Sequence, residues 1–166
     1  MALEIERKFL VRLTDELIGH ADRTLEIEQV YLKRNSPAVQ RRIRRITENG
    51  ESAYYYTEKV FISAVTREER EKAVSEEEYR RLYREIDPDS RPVIKTRRII
   101  NWQGQRFELD SYSFSDTLAT IELELANENQ PIDLPPFAQV IKEVTGLPEY
   151  SNGAMAKSGS IPAKGV

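Results

Sequence analysis

Glu4, Glu6 and Lys8 lie on alternate residues, the spacing at which side chains leave one face of a β-strand. Two carboxylates and an ammonium on one face can serve a divalent cation and a phosphate side by side. Hard oxygen ligands suit Mg2+ or Mn2+, and an ammonium is a movable point charge for phosphate oxygens. The same alternation recurs along the chain. Arg42 and Arg44, and again Lys95 and Arg97, place two cations on one face about 7 Å apart, a spacing that can grip neighbouring phosphates. Lys59 shares a face with Tyr55 and Thr57, Gln29 shares one with Tyr31, and Glu108 with Asp110 and Glu122 with Glu124 repeat the pattern in acids.

Any one of these faces alone reads as the wet side of an antiparallel sheet with cross-strand ion pairs. Taken together they require more. Leu3, Ile5, Phe9, Phe107, Leu109, Ile121, Leu123 and Leu125 fall on the opposite faces, and two or three helices outside the sheet would cover them. The charged faces then look into the concave side of a closed sheet. A concavity lined by both signs is costly when empty, so its ligand is expected to be polyanionic and metal-bound. The acids Glu4, Glu6, Glu69, Glu108, Asp110, Glu122 and Glu124 would hold metal. The bases Lys8, Arg42, Arg44, Lys59, Lys95 and Arg97 would hold phosphate.

The elements that position these residues follow from period and turn chemistry. Strands are expected over residues 3–11, 25–34, 39–47, 53–62, 92–102, 106–114 and 119–125, with Asn49-Gly50 and Gly104 as hairpin turns. The charged stretch from Thr66 to Val74 is compatible with a strand or a loop. Ser75-Glu76-Glu77-Glu78 opens a helix as a capping box, ending before Asp87-Pro88. An amphipathic helix is expected after Pro135-Pro136 to about Thr145, then a short helix near Asn152 to Ala156. The fold class is α+β, mainly β: an eight-stranded antiparallel closed barrel with a few flanking helices. One domain over residues 1–157 and a loose tail over 158–166 are expected.

Composition narrows the function classes. The chain has 166 residues, a net charge of −3 from 25 basic and 28 acidic side chains, and no cysteine. An overall basic field for nucleic acid is missing, as are thiol catalysis, thiolate metal sites and disulfides. No apolar run or N-terminal signal points to a membrane or to export, so the cytoplasm is the expected location. The single His20 lies in a polar connection and is expected at the surface.

The residues resemble the CYTH superfamily, the triphosphate tunnel metalloenzymes, and within it the small bacterial type. Its signature Glu-x-Glu-x-Lys is matched by Glu4, Glu6 and Lys8. Arg42-Ile43-Arg44, Thr57-Glu58-Lys59, Glu69-Arg70-Glu71, Lys95-Thr96-Arg97, Phe107 to Asp110 and Ile121 to Glu124 follow in family order over residues 3–157. The resemblance implies a tunnel with Mg2+ or Mn2+, two ions, and a triphosphate inside. It assigns Glu4, Glu6, Asp110, Glu122 and Glu124 to metal, and Lys8, Arg42, Arg44, Lys59, Lys95 and Arg97 to phosphate. Glu69 and Glu71 are left between a metal role and a bridge to a cation. Tyr31 matches a tyrosine suggested as a proton acceptor, although a core aromatic fits it equally. Gly153 stands where relatives carry a cation, which Lys142 or Lys157 would have to replace.

The implied activity is metal-dependent hydrolysis of a triphosphate, tripolyphosphate before nucleoside or thiamine triphosphate. A class IV-type adenylyl cyclase and a noncatalytic polyphosphate-binding module are the alternatives. The only further partner the resemblance brings in is a second copy of the chain.

Overall fold

A computed structural model describes residues 2–63 and 65–162. Chain order gives β1 (Ala2–Arg12), α1 (Asp15–Gly19), β2 (Arg23–Tyr31), β3 (Val39–Glu48), β4 (Glu51–Phe61), β5 (Thr66–Val74) and α2 (Glu76–Tyr83). Then come β6 (Val93–Trp102), β7 (Gln105–Tyr112), β8 (Leu118–Glu124), β9 (Val140–Glu143), a 3-10 turn (Pro148–Tyr150) and α3 (Asn152–Ser158). All named strand pairings are antiparallel, in the order β5-β4-β3-β2-β6-β7-β8-β1-β9. An additional β5–β1 pairing closes the first eight into a barrel.

The two tight hairpins form where the sequence places them. Asn49 and Gly50 have φ of 52° and 80°, and Gln103 and Gly104 have φ of 48° and 74°. Two consecutive positive φ values are what a two-residue hairpin needs to match strand twist. Ser75 caps α2, accepting from the Glu78 amide at 3.0 Å. The charged stretch from Thr66 resolves as a strand, paired with β4 throughout and with the start of β1.

Three apolar clusters build the molecule outward from the barrel wall. The largest joins Ile5, Phe9 and Val11 of β1 to Phe107, Leu109 and Ile121 under α1 and the segment carrying Ile132, Leu134 and Phe137. Burial of each such side chain contributes about 1.5–3 kcal/mol. A second packs Val30, Leu32 and Ile43 against Tyr79 and Leu82 of α2. The third plugs one end of the barrel, where Leu10, Tyr31, Val93 and Tyr112 meet Tyr150 and Met155. Ile161 also joins that plug; the rest of the expected tail, from 163, lies outside the described residues. No described helix is long and apolar enough to cross a membrane.

Two expectations fail for identifiable reasons. The helix after Pro135-Pro136 is absent, and β9 forms instead, pairing Phe9 with Glu143 and Val11 with Val140. On that edge β5 covers β1 only from Ala2 to Ile5, so residues 9–11 have backbone groups to satisfy. The β-branched Val140 and Ile141 suit that edge better than a helix. Leu3, expected under cover, is 57% exposed; the cover over β1 starts at Ile5.

Candidate active site

Every second residue of each barrel strand points inward, and the two periods combine into one cavity of about 210 Å3. All the sequence-predicted site residues line it except Asp110 and Glu71. A second cavity of about 490 Å3 opens beside it and shares Glu6, Lys8, Tyr31, Gln40, Arg67 and Gly153 with it. This outer chamber adds apolar wall from Leu32, Val144, Leu147 and Tyr150.

One wall is basic. Gln29 stands opposite Arg44 and Tyr31 opposite Arg42 across β2 and β3. Arg44 donates from Nη2 to Glu71 Oε2 at 2.7 Å, and Thr57 donates to the same oxygen at 3.0 Å. Glu71 therefore bridges to a cation from outside the cavity. Four buried side-chain atoms among the described residues have no hydrogen-bond partner: Gln29 Oε1, Arg42 Nε, Arg44 Nε and Glu69 Oε2. All four residues line the inner cavity. Burying a polar atom unpaired costs about 1–3 kcal/mol, so their convergence marks a surface made for a ligand.

On the neighbouring strands β6 and β7 lies the most deeply buried ion cluster among the described residues. Lys95 Nζ reaches Asp110 Oδ2 at 2.8 Å, while Arg97 holds Oδ1 through Nε at 2.8 Å and Oδ2 through Nη2 at 2.9 Å. The side chains of Lys95 and Asp110 are each 1% exposed. Against burial, the Arg97 and Lys95 charges hold Asp110 far below the usual carboxylate range. Lys95, by contrast, is lowered to about 8, because burial outweighs an Asp110 charge that Arg97 shares. Both Asp110 oxygens are thus engaged by cations.

The other wall is acidic. Glu6 faces Glu124 across β1 and β8, and Glu108 faces Glu122 across β7 and β8. Like charges directly opposite destabilise a sheet, and here they are partly offset. Glu4 pairs with Lys59 at 3.2 Å, Glu6 with Arg67 at 2.6 Å, Glu122 with Lys8 at 3.1 Å and Glu69 with Lys59 at 3.5 Å. Burial, then the Glu122 and Glu4 carboxylates, still raise Glu6 to about 8. Burial and Glu69 raise Glu4, and burial and Glu4 raise Glu124. Glu122 and Glu69 move the other way: against burial, Lys8 holds Glu122 at about 2, and the hydrogen bond with Glu4 and the Lys59 charge lower Glu69. Among the described residues no three carboxylates already converge on one ion. The residues nevertheless fit a divalent cation, since added positive charge would turn the repulsion of Glu6 by Glu122 and Glu4, and of Glu124 by Glu4, into shared ligation.

Three contributions escape the sequence reading. Arg67 alternates with Glu69 on β5 and lines the cavity, so strand period could have found it. Gln40 follows the same logic on β3. Ser151 and Asn152 enter from the far end of the chain beside Gly153, the position the family pattern singles out, and only tertiary folding brings them in. Asn152 Oδ1 accepts from the Tyr112 hydroxyl at 3.0 Å, and Tyr150 O accepts from Lys8 Nζ at 3.0 Å. A Cβ on Gly153 would stand 3.0 Å from Gln40 Nε2 and 3.8 Å from the Tyr31 ring. Lys142 lies over the Tyr150 ring at 5.2 Å, and Lys157 lines the outer chamber. His20 is exposed and stacks on Phe137 at 3.6 Å.

The fold is a closed antiparallel barrel whose bore carries opposed acidic and basic walls. The chain belongs to the CYTH family, whose domain model matches residues 2–151. Among solved structures it is similar to the inorganic triphosphatase NE1496, at 28% identity, over 98% of this chain and 99% of that one, with a TM-score of 0.59. It is also similar to the PH1012 protein from Pyrococcus horikoshii OT3, at 25% identity over 75% of this chain and 80% of that one, TM-score 0.55. The putative adenylyl cyclase HpAC1 from Hippeastrum, described as having a dominant triphosphatase activity, shares the fold at 15% identity over 74% and 80%, TM-score 0.53. Among curated proteins none matches.

Proposed function

We propose that the protein hydrolyses the terminal phosphate of a triphosphate, with inorganic tripolyphosphate as the leading substrate. The observation that carries this reading is the convergence of four unpartnered buried polar atoms in a bore lined by Lys8, Arg42, Arg44, Lys59, Lys95 and Arg97. The similarity to an inorganic triphosphatase over nearly the whole of both chains supports it.

Arg42 and Arg44 offer planar donors to neighbouring phosphates, with Lys8, Lys59 and Arg97 completing the cradle. Their preset positions stabilise charge as the phosphoryl group transfers. Asp110 holds Lys95 and Arg97 in place, and Glu71 does the same for Arg44. Glu4, Glu6, Glu122 and Glu124 are the residues that would hold Mg2+ or Mn2+, two ions being compatible with four carboxylates. Such ions supply neutralisation of phosphate oxygens and water activation.

Incubation with tripolyphosphate or ATP and Mg2+ or Mn2+, read by phosphorus NMR, tests the proposal. Orthophosphate release is expected; pyrophosphate with cyclic nucleotide would assign a cyclase, and saturable binding without turnover a binding module. Glu124→Gln should lower turnover by about 10²–10³ with an unfolding midpoint at or above that of wild type, because Glu124 forms no salt bridge among the described residues and its charge is opposed by Glu4. Wild-type turnover in that variant would remove the acidic wall from the mechanism.

The outer chamber favours a second reading, an organic triphosphate whose substituent sits on that apolar wall. Gly153→Leu would project a side chain at Gln40 and Tyr31 between the two cavities. For an organic triphosphate the variant should lose about tenfold in kcat/KM relative to tripolyphosphate, the scale of a misfitted pocket. Equal losses for both substrates count against the second reading.

A further inference from the structure

Gln29 is 0% exposed on the inner face of β2, two residues before Tyr31. Its Nε2 donates to the Tyr31 Oη at 2.8 Å, and its Oε1 meets no partner. Leu25 and Ile27 occupy the same face of the same strand and are buried without polar cost. A glutamine at position 29 therefore gives up stability that an aliphatic side chain would keep. What the amide supplies in return is direction. By donating to the phenol it occupies one of the oxygen's lone pairs, which turns the Tyr31 proton away from Gln29. Arg42 stands opposite Tyr31, and Arg44 opposite Gln29; guanidinium groups donate and cannot accept. The phenol proton thus faces a wall of donors, and among the described residues no side chain takes it. Its remaining acceptor is an oxygen of whatever fills the bore. This orientation differs from the proton-accepting role that the family resemblance implies for Tyr31.

We propose that Gln29 is a positioning residue for Tyr31: it locks the phenol so that its O–H donates a hydrogen bond to a phosphate oxygen of the bound substrate. No proton is transferred in this step; the O–H bond stays intact and only the hydrogen bond forms. The inference rests on the triphosphatase reading for its ligand, but the Gln29–Tyr31 coupling stands apart from it.

The test compares Gln29→Leu, Tyr31→Phe and the double variant with tripolyphosphate and Mg2+. Gln29→Leu should lower kcat about tenfold, short of the ~10²–10³ lost when an oriented donor is deleted outright, with KM within about twofold of wild type. Its unfolding midpoint should equal or exceed that of wild type. Tyr31→Phe should lower kcat at least as far, and the double variant should be no slower than Tyr31→Phe alone, because without the hydroxyl there is nothing left to position. Multiplying effects in the double variant, or a wild-type kcat in Gln29→Leu, would overturn the proposal. If Gln29→Leu does not fold, Gln29→Met takes its place in the same cycle. Should the wild type turn over no triphosphate, the functional reading fails by itself. The positioning claim is then decided by ζ-13C-tyrosine NMR, with the Tyr31 resonance located by Tyr31→Phe. Gln29→Leu must shift that resonance, and an unmoved resonance overturns the claim.

Discussion

Asp110→Asn is expected to cost the apo protein about 3–5 kcal/mol, lowering its unfolding midpoint by roughly 10 °C for a chain of this size. The reason is that Asp110 serves two buried cations at once. Its oxygens take three short bonds, from Lys95 Nζ, Arg97 Nε and Arg97 Nη2, in a position 1% exposed. Asparagine keeps one acceptor, replaces the other with a donor aimed at donors, and leaves Lys95 without a salt-bridge partner and Arg97 with Glu108 alone. The pH dependence carries the same signature. Asp110 is depressed far below its ordinary value by Arg97 and Lys95. Its contribution is therefore present above the unfolded carboxylate pKa and lost only as pH falls toward the depressed one. The variant should accordingly lose part of the wild-type acid-unfolding arm below about pH 4. Thermal unfolding without metal or phosphate measures this directly. If Asp110 were solely a metal ligand, the apo protein would be nearly indifferent to the change, and that result would sink the anchoring role. Adding Lys95→Met to Asp110→Asn should recover part of the loss, because it removes the stranded charge.

The Asp110 role also shows where sequence stops being informative. Alternation correctly placed Glu4, Glu6, Lys8, Arg42, Arg44, Lys95 and Arg97 on inward faces, because the side-chain period of a strand admits no other arrangement once the apolar residues are out. Asn49-Gly50 and Ser75 were legible for the same local reason: each is set by backbone conformation or a single capping bond. Depth along the bore is not local. Asp110 and Glu108 look equivalent in sequence, yet cross-strand register puts Asp110 opposite Arg97 and Glu108 opposite Glu122, so cations engage both oxygens of Asp110 but only one of Glu108 on the acidic wall. The segment from Val140 misled because its apolar spacing fits a helix, while the unpaired edge of β1 that recruits it lies more than a hundred residues away in the chain. Gly153 reads as a departure from a pattern, and only the fold reveals that its missing side chain leaves room between Gln40 and Tyr31.

Glu6→Gln should make the metal-free protein more stable than wild type above pH 8, while lowering triphosphate turnover by about 10²–10³. Two effects compete at Glu6. Arg67 binds its carboxylate at 2.6 Å and favours the charged form, whereas burial and the Glu122 and Glu4 carboxylates oppose it and prevail, raising the group to about 8. A raised carboxylate stabilises the fold fully below its unfolded value of 4.5, and that contribution is lost as pH rises through the folded one. Glu4 and Glu124 are displaced in the same direction. The apo protein should therefore weaken steadily between about pH 5 and 8. Lys95 does not obscure this window. Lowered to about 8, it contributes stability that is present above its unfolded value and lost as pH falls through 8, so its slope lies on the alkaline side. Glutamine at position 6 removes the largest share of the carboxylate slope, and about 2 kcal/mol should be regained at pH 8.5. Mg2+ or Mn2+ should stabilise the wild type most at the alkaline end of that window, by supplying the positive charge the acidic wall lacks, and should stabilise Glu6→Gln much less. Urea unfolding at pH 5.5 and 8.5, with and without the ion, resolves both effects. A variant less stable than wild type at pH 8.5 would mean that the Arg67 pair outweighs the carboxylate repulsion, and the acidic wall would then be held together by its own cations.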